Sequence, residues 1–204
     1  MPRNKITTIS GLKPLLDLEI LDLELNEIEE ITGLETLVNL KTLRINNNKI
    51  ERISGLDKLK SLEHLFLSYN KIHKIEGLQN LSNLEVLNLS CNEIENIEGL
   101  DSLSNLVVLN LSNNKIKDIK GLEALIQLDV LDLSSNQIIE MKGLNSLFKL
   151  RDLILDKNQI TKIEGLGNLH KLCLLSFRGN PAEEFHPNYG LYSGEDLFLN
   201  EEFP

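Results

Sequence analysis

Tryptophan is absent from this sequence, and aromatic residues of all kinds make up only 4% of it. No apolar run approaches the roughly 18 residues that a membrane span requires. The opening Met-Pro-Arg-Asn-Lys is not followed by an apolar stretch, so no secretory signal is read there. Cysteine is nearly missing too: Cys91 and Cys173 form no C-x-x-C and no clustered framework, which points to a reduced compartment rather than a disulfide scaffold. Basic charge is the minority sign, with 21 Lys and Arg against 31 Asp and Glu. The acidic excess sits at the two ends: residues 17–35 carry −8 and residues 181–204 carry −6. A long basic stripe is needed to displace counterions from phosphate, and none runs through the chain; Lys115, Lys117 and Lys120 read as a solvated turn. The expectation is a soluble protein that binds neither nucleic acid nor membrane.

What the chain has in excess is leucine and asparagine, 44 and 23 of its 204 residues, about a third of the whole. Their spacing explains the excess. Asparagine falls at Asn4, Asn26, Asn48, Asn70, Asn92, Asn114, Asn136, Asn158 and Asn180. Glycine falls at Gly11, Gly33, Gly55, Gly77, Gly99, Gly121, Gly143 and Gly165. Both series step by 22 without slippage. One unit, from Leu18 to Asn39, reads L-x-x-L-x-L-x-x-N-x-I-x-x-I-x-G-L-x-x-L-x-x. Departures are conservative: Ile45 and Phe177 replace the third leucine, and Met141 the second isoleucine. A fixed period of this length marks a stacked-repeat architecture.

The spacing also dictates local structure. The x-L-x-L step has the period of a strand, so alternate side chains turn inward. Leu34, Leu37 and Leu40 recur every third residue, which suits a 3₁₀ turn or very short helix on the opposite side. Each coil then advances by one strand spacing, about 4.8 Å, and the strands form a parallel sheet. Helical segments are wider than strands, so the sheet should line the concave face of an arc. The recurrent asparagine can bridge successive coils through both donors and its acceptor. The recurrent glycine supplies a conformation or a close approach that a Cβ would obstruct. Gly165 and Gly167 make the sole G-x-G, with no third glycine to build a phosphate loop.

These motifs resemble leucine-rich repeats. The strict 22-residue length and the I-x-x-I-x-G-L half are similar to the subclass seen in protein phosphatase 1 regulatory subunit 7. Similar repeats occur in ciliary dynein light chain 1, in centrosomal and axonemal proteins, and in the exported internalins. The resemblance implies a right-handed, curved α/β solenoid, with a parallel sheet on the concave face and 3₁₀ or short helices on the convex face. The expected organisation is a partial repeat or cap over residues 1–17, eight repeats over 18–180 with the last incomplete, and an acidic tail with a partial cap over 181–204. Because the chain starts inside a unit, either it is part of a longer protein or residues 2–16 form an irregular cap.

Catalysis has little support in the sequence. His64, His73, His170 and His186 lie in separate units or the tail, and none belongs to an H-E-x-x-H. Glu63 and His64 are adjacent on a strand and so face opposite ways. No enzyme activity, cofactor or metal is expected. Asn80, Asn88 and Asn110 begin N-x-S triplets that fall out of the repeat itself. Binding is better grounded, because the residues between inward leucines must project onto the open face of the sheet. The third motif position gives Ile20, Thr42, His64, Val86, Val108, Val130, Asp152 and Leu174. The fifth gives Asp22, Arg44, Phe66, Asn88, Asn110, Asp132, Ile154 and Ser176. All but Thr42 and Ser176 are candidate partner-binding residues. Val86, Val108 and Val130 form an apolar row flanked by Phe66 and Ile154, with charge towards the rim, the anatomy of a protein interface.

The expected function is therefore that of a monomeric, cytoplasmic protein-recognition scaffold. The resemblance names a protein phosphatase catalytic subunit or a cytoskeletal protein as candidate partners. It also implies, for a phosphatase 1 regulator, contacts through Asp22, Glu24, Glu63, Phe66, Asp132 and Asp152. Two further functions fit the resemblance: an assembly role in cilium or centrosome, and that of an internalin-like adhesin.

Overall fold

The structure, a computed structural model, describes residues 4–181. Eight three-residue strands recur every 22 residues: β1 (Ile20–Asp22), β2 (Thr42–Arg44), β3 (His64–Phe66), β4 (Val86–Asn88), β5 (Val108–Asn110), β6 (Val130–Asp132), β7 (Asp152–Ile154) and β8 (Leu174–Ser176). They form one parallel sheet in simple chain order. Every pairing joins equivalent residues, as in Leu87↔Leu109 and Leu109↔Leu131. A strand this short cannot persist alone; it holds because each coil offers its backbone to the next in identical register.

The periodic leucines and isoleucines fill the space behind the sheet. In the inner coils they are fully buried: Leu84, Leu87, Leu89, Ile94, Leu100 and Leu103 of one coil all have no exposed surface. These residues join one continuous apolar column, with Leu12, Leu18 and Leu23 of the first turns only partly covered against it.

Opposite the sheet, the expected 3₁₀ or short helices are not found among the described residues. Each coil instead makes two consecutive turns, closed by Leu37 N–H to Leu34 C=O and Leu40 N–H to Leu37 C=O, both at 3.0 Å. A helix needs consecutive bonds from successive amides. Here the bonds fall on every third residue, and side chains bond the preceding coil instead: Asn39, Asn83 and Asn105 donate to the carbonyls of Leu16, Lys60 and Ser82 at 3.1, 3.0 and 2.9 Å. The tail and partial cap expected over residues 181–204 lie, beyond Pro181, outside the described residues.

Asparagine and glycine do what their spacing suggests. Asn114 Oδ1 accepts the Ile94 N–H at 3.0 Å. Its Nδ2 donates to the carbonyls of Leu89 in the preceding coil and of Leu111 and Ser112 in its own, at 3.0, 3.0 and 3.2 Å. Gly121 has φ +70°, and a Cβ there would lie 2.5 Å from the Ile97 carbonyl oxygen of the coil beneath. Gly11 has the same left-handed backbone, φ +79°, but nothing within 4 Å of its Cβ site.

Two substitutions separate these effects. Asn114→Ala strands several buried backbone groups and should cost about 3 kcal/mol in urea denaturation. Gly11→Ala should cost about 1 kcal/mol, the conformational penalty alone. Gly121→Ala should lose roughly 2 kcal/mol more than Gly11→Ala, because overpacking against rigid backbone adds to that penalty. Equal losses at the two glycines would show that the close approach is not what demands glycine.

Candidate functional site: the open face of the sheet

In-register pairing turns the outward residues into two straight rows across the strands. One row runs Ile20, Thr42, His64, Val86, Val108, Val130, Asp152 and Leu174; the other runs Asp22, Arg44, Phe66, Asn88, Asn110, Asp132, Ile154 and Ser176. From β3 to β7 every outward residue is half-buried and every central leucine fully buried. Partial burial follows from stacking: each outward side chain rests against its equivalents on both neighbouring strands, about 4.8 Å away. At the ends the pattern changes. Ile20 and Asp22 on β1 are exposed, Ile20 at 58%. Leu174 is 5% exposed and belongs to the buried set, so it is not part of the free face.

Several of these side chains are tied to the backbone. Asn88 Oδ1 accepts the Ser90 N–H at 3.0 Å and its hydroxyl at 2.8 Å. Asn110 does the same for Ser112, at 2.9 and 2.7 Å. Asp132 accepts the Ser134 N–H at 2.9 Å. These bonds cap each strand where the chain turns away. His64 Nδ1 lies 3.3 Å from the Thr42 hydroxyl, and the Arg44 guanidinium lies 5.5 Å from the centre of the Phe66 ring, a cation–π contact.

The carboxylates on the far half of the sheet are electrostatically strained. Burial pushes the Asp132 carboxyl above the ordinary range; hydrogen bonds from Ser134 oppose the shift and the nearby Asp156 charge adds to it. Burial also raises Asp152, against the lowering effect of Arg151 and with a smaller push from Asp129. Arg151 is gripped by Asp129, its Nε and Nη2 each donating to a carboxylate oxygen at 2.6 Å.

Two residues of this surface escape a reading by third and fifth positions. Val107, just before β5 and adjacent to Val108, is half-buried. Its equivalents are Glu63, Glu85 and Asp129, so an apolar residue among charged ones was the available signal. Tyr69, 58% exposed beyond the end of β3, has its hydroxyl held above the ordinary range chiefly by a hydrogen bond with Cys91. Among the described residues no group of three or more His, Cys, Asp or Glu is arranged to hold a metal ion. A concavity of 890 Å³ lies on the flank, where Arg52 and Glu76 pair at 2.9 Å among further charged side chains including Glu29, Glu51 and Lys71.

Comparison with known proteins agrees with this geometry. The family described as "Leucine Rich repeats (2 copies)" matches residues 17–58, 38–80, 60–102 and 104–146. The crystal structure of internalin C2 from Listeria monocytogenes is similar at 34% identity and a TM-score of 0.78, over 84% of this chain and 76% of that one. A leucine-rich repeat protein from Leptospira interrogans is similar at 31% identity and a TM-score of 0.82; the match covers 92% of this chain but 49% of that one. Internalin InlF of Listeria monocytogenes follows at 26% identity and 0.57, over 89% and 66%. No curated protein sequence matches significantly.

The Asp132 shift has a measurable sign. A raised carboxyl means that the folded state holds its proton to higher pH than the unfolded chain does. The associated stability is present below the ordinary carboxylate range and is lost as pH rises through the raised value. Asp132→Asn keeps the acceptor and removes the charge, so its urea midpoint relative to wild type should improve between about pH 3 and about pH 7. Parallel pH profiles for the two proteins would contradict burial as the dominant influence on this group.

Proposed function

Because the chain belongs to the leucine-rich repeat family, we propose that it is a non-enzymatic recognition module that binds a protein partner on the open face of its sheet. The observation that carries this reading is the in-register row Val86, Val108 and Val130, with Phe66 and Ile154 beside it and carboxylates and Arg44 around it. An apolar centre ringed by charge suits a protein surface. Eight strands locked to one another present this face already ordered, so docking immobilises little of the module itself.

A phosphatase catalytic subunit is one candidate partner, supported by the acidic and aromatic set Asp22, Glu24, Glu63, Phe66, Asp132 and Asp152. An assembly role on the cytoskeleton, cilium or centrosome is another reading. The likeness to internalin C2 favours a third, an internalin-like adhesin. The free thiols Cys91 and Cys173 favour the cytoplasmic one, since neither is paired.

Affinity capture from the native cell, with wild type and Val108→Glu side by side, tests the reading. The variant should lose the partner while its stability stays within about 1 kcal/mol of wild type, because the position is only half-buried. Retrieval of the same partners by both forms would move the binding surface off the sheet. Co-purification of a phosphatase catalytic subunit, enrichment on axonemes, or recovery of an exported form distinguishes the three roles.

A further inference from the structure

The coils of β6 and β7 carry charge where other coils do the same structural work without it. Asp132 caps its strand by accepting the Ser134 N–H at 2.9 Å, and at the same place in the two preceding coils Asn88 and Asn110 accept the equivalent N–H at 3.0 and 2.9 Å. A neutral amide therefore suffices for that bond. Asp156 accepts the Ser176 hydroxyl at 2.6 Å and the Arg178 N–H at 2.7 Å. Asn46, its equivalent in an earlier coil, accepts the Ser68 hydroxyl and N–H, both at 2.8 Å. Asp152 continues a row that is valine in the three preceding strands.

The register gathers these charges around aliphatic side chains. Val130 pairs with Asp152 and Asp132 pairs with Ile154, so four outward residues form a square with carboxylates on one diagonal and aliphatic groups on the other. Burial works against ionisation of both diagonal carboxylates. The adjacent cation Arg151 is held in two hydrogen bonds by Asp129. A sheet selected for stability alone would place Asn and Val here, as this chain does in neighbouring coils; half-buried like charges are a cost to folding.

Resting on the reading of the sheet as a protein-binding face, we propose that the partner presents a lysine or arginine flanked by aliphatic side chains. Its alkyl stem lies on Val130 and Ile154, its cationic head reaches between Asp132 and Asp152, and its aliphatic neighbours lie along the valine row at Val108. Long basic side chains suit such a square because stem and head have opposite solvation preferences. The carboxylates fix the orientation of the partner and speed its approach, while repelling acidic surfaces.

Panning the full chain against phage-displayed random 12-residue peptides tests the proposal, with binding of synthetic enriched peptides measured afterwards. Enriched sequences should place Lys or Arg beside Val, Ile or Leu. Their affinity should fall about tenfold or more for the Asp132→Asn, Asp152→Asn double variant and weaken with added salt in wild type but much less in the variant. Val108→Glu should lose them altogether. Because Asn already occupies the position equivalent to 132 in two coils, the circular dichroism of the double variant should match wild type and its thermal melting should be no lower. Peptides without basic excess that still fail on Val108→Glu would overturn the basic partner and leave the sheet-face reading standing. Peptides that bind Val108→Glu as tightly as wild type would overturn both, as would a selection with no enrichment.

Discussion

Everything in this molecule depends on one side-chain amide per coil. The ladder asparagine stands where the chain leaves its strand and turns inward, a place where backbone groups have no strand partner. Asn92 shows the full pattern: its oxygen takes the Ile72 N–H at 3.0 Å, and its nitrogen serves Leu67 C=O in the coil before and Leu89 and Ser90 C=O in its own. One residue thus satisfies polar groups that would each cost about 1–3 kcal/mol if buried alone. The bond spans two coils, so it works only if every coil has the same length. The strict 22-residue period is the covalent consequence. Asn26 keeps the same bonds among the described residues, its oxygen accepting the Ile6 N–H at 3.2 Å and its nitrogen donating to Leu23 and Glu24 C=O.

The same constraint decides which backbone conformations are required. Each inner coil turns through a left-handed residue immediately before its asparagine: Leu25, Asn47, Tyr69, Cys91, Asn113, Ser135 and Lys157 all have φ between 53° and 57°. Most of these side chains disfavour that region by about 1 kcal/mol or more. The conformation persists because the amide of the same residue is aimed at the next coil, as in Tyr69 N–H to Ser90 C=O at 3.0 Å and Cys91 N–H to Ser112 C=O at 2.9 Å. From Gly33 to Gly165 glycine holds the second left-handed position, where room as well as torsion is lacking, and Gly179 continues the first column. Exposed ion pairs such as Lys49–Glu27 and Lys115–Glu93, at 2.8 and 2.7 Å, follow the same 22-residue step and contribute little beside these backbone bonds.

Periodicity made most of this legible from the residues. Where a position is under one physical demand in every coil, as at the inward leucines, the ladder asparagines and the crowded glycines, its identity repeats and its role can be argued. The left-handed column was illegible because its demand falls on the backbone, and six different side chains meet it at seven positions. The side opposite the sheet was expected to hold 3₁₀ turns or very short helices, and a three-residue leucine spacing describes two successive turns as well as a 3₁₀ helix. The backbone bonds that decide between them fall on every third amide in each coil, which a pattern of apolar residues does not register. Leu174 was placed on the free face by its motif position alone, which does not register local cover: Leu174 and Thr42, at the same motif position, are 5% and 8% exposed.

The outward rows obey a different logic, and this is what makes them informative. A residue there has no core to fill and no ladder to complete, so the fold tolerates His64, Val86 or Asp152 in the same row. A solenoid in this sense supplies its own controls: the residue that the fold requires at any outward site is shown by what the other coils place there. Asn88 and Asn110 establish that capping a strand end needs an acceptor and no charge. The carboxylate of Asp132, half-buried and raised by its surroundings, departs from that requirement in the unfavourable direction. A departure whose balance of burial and hydrogen bonding is unfavourable to the charged form accords with the proposed contact to a partner outside the folded chain. It lies beside the apolar row, on an extended face whose inner strands are paired on both sides.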